Sequence, residues 1–435
     1  MASIGSALRS IKSRPLEVLE RHLPGDQVEQ ICRGLGHCWR KRVLGPATTV
    51  HLMLLQLLAG VALGGLRHVS GLAVSAQAIA KARRRLPLEL FIGLVAKMLR
   101  PPQQGSSLWK GLRLWVADGM SFLTQDTPEL AGRYGRARNQ RGVSDGYPVP
   151  KLLCLLEHAT GLIAKAVPLP HCRQEQTCLS RLFRLLGGGD LLLGDRGLVG
   201  FAQLALLAAR GAAGLLRLPA NKRVEGRGKG MRRRVDRLGR QDLLVRWDKG
   251  RLRDKPKWMS KARWRGLPGS LELRQVAFRI KRKGHRDRWA WVITTLTDPK
   301  LYPAAEIAGL YGRRWQVEVC FRDLKRTLGL RRLSAQCEEG VRKELLSFVL
   351  LYNLVRKVMA EAATAQGTEP DRVSFSDATR WLLYSQPGTP LPRLLVNRRR
   401  RRPTQPRAVK HGGRRFPKLK RPRQTLQQPP AEVIV

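Results

Sequence analysis

Tyr311, Arg314, Glu318 and Lys325 are the residues of this sequence whose types and spacing best suit chemistry on phosphate. They lie in the stretch L-Y-G-R-R-W-Q-V-E-V-C-F-R-D-L-K. At about 100° per residue, a helix sets the four side chains within a stripe roughly 60° wide. Leu310, Val317, Phe321, Leu324 and Leu328 form a second stripe that reads as the core face of the same predicted helix. One carboxylate flanked by two cations and a phenol, at the border of a core, suits a metal-and-phosphate site. For any one of these residues the alternative is an ordinary Arg–Glu pair on a solvated helix. The full spacing therefore asks for partners elsewhere in the chain.

Two aspartates are the candidate partners. Asp118 ends the apolar run L-R-L-W-V-A-D, and Asp195 follows D-L-L-L-G in the turn G-D-R-G. In open α/β sheets, ligand-binding side chains converge at strand ends. Three carboxylates from three separated segments are costly without cations, and hard divalent metals are the usual compensation. Two Mg2+ or Mn2+ ions would activate a water or a 3′-hydroxyl and stabilise the leaving oxygen of an in-line phosphoryl displacement. Arg314 and Lys325 would then hold phosphate oxygens. A cap or turn role is the competing reading of either aspartate, and Asp190 and Asp126 are the rival positions.

These residues need a scaffold. Residues 1–105 read mainly as helix, including T-T-V-H-L-M-L-L-Q-L-L-A and a second helix, S-A-Q-A-I-A-K-A-R-R-R-L, capped by Ser75 and ending before Pro87. Lys81, Arg83, Arg84 and Arg85 make that helix a cationic face for phosphates, or one that enters a groove. The segment 101–107 reads as a boundary. Residues 106–217 and 289–360 mix strands and helices, with strands at Pro150–Leu156 and Leu162–Pro168 and a helix over T-C-L-S-R-L-F-R-L-L, which indicates an α/β domain. Residues 218–288 are Arg-, Lys- and Gly-rich with alternating pieces, and read as an inserted, basic, β-rich subdomain. Pro303 opens the helix that carries Glu318, and another apolar helix follows Glu338. Residues 361–435 end in a basic tail containing N-R-R-R-R-R-P.

The charge points to the partner. Among 435 residues, 82 are Lys or Arg against 32 Asp or Glu, a formal net charge of +50. Self-repulsion of that size calls for a polyanion, and nucleic acid fits through counterion release. A membrane is not expected, because the apolar stretch from His51 to Leu66 is interrupted and shorter than a span; it reads as a buried helix. Seven cysteines are scattered without a C-x-x-C pair. His171, Cys172 and Cys178 make only a weak zinc pattern, so reduced thiols and a cytoplasmic setting are expected.

The Tyr311–Arg314–Glu318–Lys325 spacing, the strand ending in Asp118 and the D-R-G of Asp195 resemble the DDE transposases of bacterial insertion sequences. Within that family they are similar to the insertion-sequence-four type, related to the Tn-five transposase. The resemblance implies a helical N-terminal DNA-binding domain and a ribonuclease-H-like catalytic core with a β-rich insertion between Asp195 and Glu318. It also implies that Asp118, Asp195 and Glu318 are the metal-binding catalytic triad, and that Tyr311, Arg314 and Lys325 contact DNA near the element's end. A tryptophan on the strand before the Glu helix stacks on a flipped base in related enzymes. Trp291 matches that position, with Trp289 as its rival and a core aromatic as the alternative role. The expected partners are terminal inverted repeats and target DNA, bound by a homodimer. A nuclease or resolvase without strand transfer, and a non-catalytic DNA-binding derivative, are the competing functions.

Overall fold

The apolar runs of the sequence become strands of one mixed sheet. The computed structural model describes residues 16–99, 108–137, 146–225, 228–229, 231–280, 288–385, 389–390 and 392–393. They fall in one compact unit, Met1–Leu395. The expected boundary at 101–107, the chain before residue 16 and the basic tail beyond Arg393 lie outside the described residues. The strands are β1 (Arg113–Ser121), β2 (Lys151–Glu157), β3 (Ile163–Leu169), β4 (Asp190–Gly194), β5 (Ala213–Arg217), β6 (Gly228–Lys229), β7 (Arg232–Gly239), β8 (Asp242–Asp248), β9 (Ser270–Ile280) and β10 (Arg288–Thr294). Their order across the sheet is β3-β2-β1-β4-β5-β10-β9-β8-β7-β6. β1, β4 and β5 are parallel neighbours, and every other pairing is antiparallel.

Successive side chains of β1 enter opposite cores, as the period of two requires. Leu114, Val116 and Met120 join the core shared with the N-terminal helices and the Glu338–Ala365 helix. Trp115 and Ala117 join the opposite core, which also holds Leu192, Leu179, Leu182 and Leu204. Both faces are covered, so β4 is a continuous buried Leu191-Leu192-Leu193 run rather than an alternating one.

β1 does not stop at Asp118. It runs on to Ser121, because β2 continues to pair with it through Ser121 and Lys151. The stretch expected as a helix from Thr177 to Leu186 consists of short 3-10 turns instead. Such turns release backbone carbonyls that an α-helix would use. Here Lys165 Nζ donates to Arg181 O at 3.0 Å, and Arg210 Nε donates to Leu186 O at 2.9 Å.

The strands β6 to β9 of the insertion extend the same sheet through β10 rather than building a separate one. A buried guanidinium ties this part to the approach of the Glu318 helix. Arg274 of β9 donates Nε to Asp242 Oδ1 at 2.7 Å and Nη1 to Tyr302 O at 2.6 Å, just before Pro303. The expected N-terminal capping is present, with Ser75 Oγ accepting from Ala78 N at 3.2 Å at the head of the Ala76–Arg85 helix. The apolar helix is buried as expected over Pro46–Ala59, but it does not continue to Leu66: Gly60 takes the left-handed conformation that ends it, and Leu66 opens a separate short helix. Among the described residues no single helix is long and apolar enough to cross a membrane.

Candidate active site

β1 and β4 pair in parallel up to Ala117 and Gly194, and there they part. The next residue on each chain is an aspartate, Asp118 on β1 and Asp195 after β4. The parting of two parallel strands creates a crevice at their carboxyl ends. Both aspartates follow in register with Val116 and Leu193, so they point toward the face on which the Glu318 helix packs. Val317, Cys320 and Leu324 anchor that helix in the core beneath.

The helix itself differs from the uniform α-helix expected. Ala304–Gly312 is α, Arg313–Trp315 is a 3-10 turn, Gln316–Arg322 is α and Asp323–Thr327 is a π turn. The core stripe survives, since Leu310, Val317, Phe321, Leu324 and Leu328 are all buried. The polar stripe divides. Arg314 donates Nη1 to Asp118 Oδ2 at 3.0 Å and Nη2 to Glu318 Oε1 at 2.9 Å, so one guanidinium joins two of the expected carboxylates. Lys325, carried on the π turn, instead lines a cleft of about 360 Å³ with Ser121, Leu123, Arg326 and Arg331.

Burial pushes the Asp118 carboxyl up, against the Gly119 N–H and Arg314, and the neighbouring Asp195 and Glu318 add to the rise. Burial pulls the Arg314 guanidinium down, but Tyr311, Glu318, Asp118 and Asp195 outweigh it and hold it above its ordinary value. Burial raises the Tyr311 hydroxyl. Asp195 Oδ1, Tyr311 Oη and Arg314 Nε are buried without a partner in hydrogen-bond geometry. The nearest cation to Asp195 is Arg217, with 4.0 Å between Nη1 and Oδ1.

The donors available here are carboxylate oxygens, which suit a hard divalent cation, and one of them, Asp195 Oδ1, is buried and unpartnered. As the side chains stand, no group of three His, Cys, Asp or Glu residues closes around one point among the described residues. Arg314 occupies the role of counter-charge between Asp118 and Glu318.

The rival aspartates have other work. Asp190 accepts from Trp115 Nε1 and from Gly187 N, both at 2.8 Å, and so shapes a turn. Asp126 pairs with Arg136 at 2.6 Å. Trp291 is half-buried on β10, with the Arg223 guanidinium 5.2 Å from its ring centroid and its Nε1 unpartnered. Trp289 is the more accessible of the two, under Arg279 at 5.0 Å. On the N-terminal helix Lys81, Arg84 and Arg85 are exposed, whereas Arg83 turns inward and donates to Gln56 Oε1 at 2.8 Å.

A family profile described as the transposase DDE domain matches residues 109–354, more than half of the chain. The chain belongs to the DDE transposase family. It is 29% identical over 313 residues to the transposase InsG for insertion sequence element IS4 of Escherichia coli (strain K12), over 70% of this chain. The chain spans 66% of that relative's length, just under two thirds. The similarity agrees with the insertion-sequence-four resemblance of the Tyr311–Lys325 motif. In fold, the chain is also similar to the piggyBac transposase of a cryo-EM synaptic complex with hairpin DNA, at a TM-score of 0.45 and 10% identity, over 85% of this chain and 79% of that one.

Two features of the site escaped the sequence. Trp315 stands more than half exposed beside Arg314, an apolar surface next to the carboxylates. Glu175 lies over Gly119, the neighbour of Asp118. The D-G pair at 118–119 was the one available signal, since glycine in a strand marks a close approach by another group.

Proposed function

We propose that this chain is a DNA transposase, cleaving DNA at the ends of a mobile element and joining the freed 3′-hydroxyls to target DNA. What supports this reading is that Asp118 and Asp195 each follow the last paired residues of β1 and β4, and that Arg314 joins Asp118 to Glu318 on the neighbouring helix. The antiparallel β1–β3 followed by the parallel β4 and β5 support the ribonuclease-H-like core that the family resemblance implies. On this reading residues 1–105 bind DNA, 106–217 and 289–360 form the catalytic core, 218–288 is the β-rich insertion and 361–435 carries the basic tail.

Asp118, Asp195 and Glu318 would hold Mg2+ or Mn2+, two ions in this reading. When bound, such ions supply Lewis acidity and lower the pKa of a bound water or hydroxyl. The protein's own part is positioning. Arg314 keeps Asp118 and Glu318 facing each other and, with Tyr311 beside it, is placed to meet phosphate at the crevice. Burial lowers the pKa of Lys325, whose cleft opens at the end of β1 and would receive the backbone next to the reacting phosphate. Trp291 is the proposed stacking surface for a flipped base, and Lys81, Arg84 and Arg85 the proposed flanking DNA contacts. The enzyme is proposed to act as a homodimer on paired terminal inverted repeats, in the cytoplasm and without a membrane partner.

The test is an assay of linear DNA carrying the parent element's terminal repeats, with Mg2+ and a target plasmid. Joined products support the proposal. Cleavage without joining would instead make the chain a nuclease or resolvase, and binding alone a non-catalytic derivative.

A further inference from the structure

Glu175 is a fourth carboxylate beside the triad, outside the motifs that define it. It opens the 3-10 turn Glu175–Thr177, between β3 and β4. Its side chain occupies the space that any residue but glycine would fill at position 119: a Cβ there would overlap the Glu175 carboxylate. Gly119 immediately follows Asp118, so the absence of a side chain admits a second carboxylate to the same strand end. Trp115 and Ala117 share Gly119's face of β1, so Glu175 reaches the crevice from the side opposite the Glu318 helix.

The turn is built into the site. Gln176 Nε2 donates to Val199 O at 2.7 Å, and Gln203 Nε2 donates to Gln176 O at 3.2 Å, which fastens the turn to the segment that follows Asp195. Within a chain of net charge +50, the Glu175 carboxylate makes no hydrogen bond and no ion pair with any described residue. A half-buried carboxylate set against Gly119, next to Asp118, with no side-chain partner in a strongly cationic chain, is arranged for a cation that is not a side chain.

We infer that Glu175 helps hold the divalent cation of this site, reaching it from the face of the sheet opposite Glu318 and sharing the load with Asp118 and Asp195. This rests on the metal-dependent reading proposed above. The cation would then be gripped from both faces of the sheet, and Gly119 is the residue that makes room for the second grip.

The test uses the full-length, DNA-free protein and Mn2+ alone. Binding is read from the loss of the free-ion electron paramagnetic resonance signal, and the Mn2+-induced rise in melting temperature is read beside it. Glu175→Gln and Gly119→Ala are each expected to weaken Mn2+ binding by roughly tenfold or more. The double variant is expected to bind no more weakly than either single one, because both act on the same carboxylate. Without Mn2+, Glu175→Gln should melt no lower than the parent, since it removes like-charge repulsion; a lower melting temperature would mean a structural role and overturn the inference. Wild-type Mn2+ affinity in Glu175→Gln, with binding lost in Asp118→Asn, would overturn the role of Glu175 and leave the triad standing. No Mn2+ binding by the parent chain would overturn this inference together with the reading beneath it.

Discussion

Arg314 hydrogen-bonds Asp118 at 3.0 Å across 196 residues of sequence, and the same guanidinium holds Glu318 one helical turn away. The Arg–Glu part of this arrangement is an ordinary i,i+4 pair. The Arg–Asp part fixes the helix to the sheet at the point where two parallel strands separate.

Removing that link has a measurable consequence. Arg314→Ala leaves the half-buried Asp118 without its counter-charge, and breaking a fully buried pair costs about 3–5 kcal/mol. Asp118 and Glu318 are partly exposed, so a loss of about 1–3 kcal/mol is expected in urea denaturation without metal. Arg314→Lys keeps the charge but cannot span both carboxylates, and should recover only part of the loss.

The basic N-terminal helix separates a DNA role from a structural one. Lys81→Ala, Arg84→Ala and Arg85→Ala remove exposed cations. Each should weaken DNA binding and flatten its salt dependence, by a slope of about 0.9 for every phosphate no longer neutralised. Arg83→Ala should instead lower the melting temperature, because its guanidinium is engaged with Gln56. Equal effects of all four on the salt slope would contradict this division.

His158 gives the fold a pH dependence independent of the carboxylates. Burial holds its pKa below the ordinary 6.5, and Arg313 and Arg356 add to the depression against Asp371. The unfolded chain therefore binds the proton more strongly. Stability is full above pH 6.5 and falls as pH drops from there toward the folded-state pKa. His158→Gln should show a shallower loss as pH falls below 6.5 in denaturant titrations.

Trp291 and Trp289 share a face of β10 two residues apart, and 2-aminopurine at the terminal base distinguishes them. If Trp291 is the stacking surface, Trp291→Ala keeps the base bright in the cleaved complex while Trp289→Ala leaves it quenched. Arg223 covers the Trp291 ring, so it must yield for the base to stack. The reverse pattern would move the role to Trp289.

The place of the two aspartates was legible for a physical reason: the apolar run of β4, buried on both faces, gives way to Asp195, and Asp118 follows the last residue at which β1 pairs with β4. The core stripe of the Glu318 helix was legible because burial selects one face. The 3-10 and π turns were not, since apolar spacing on either side of them still looks α-helical. That is why Lys325 was expected in one α-helical stripe with Glu318 and is instead carried on a π turn, where it lines a cleft with Ser121 and Arg331. Glu175 was illegible for a different reason. It sits in the polar segment H-C-R-Q-E-Q, where periodicity carries no information, and its place follows from an approach to Gly119 made only in the folded chain.

The most direct test of the account is Glu318→Gln on terminal-repeat DNA with Mg2+. The substitution keeps the side chain's size and an acceptor for Arg314 while removing the charge. DNA binding at parental affinity with cleavage abolished is the expected result. Cleavage retained by this variant would contradict the assignment of Asp118, Asp195 and Glu318 as the catalytic triad.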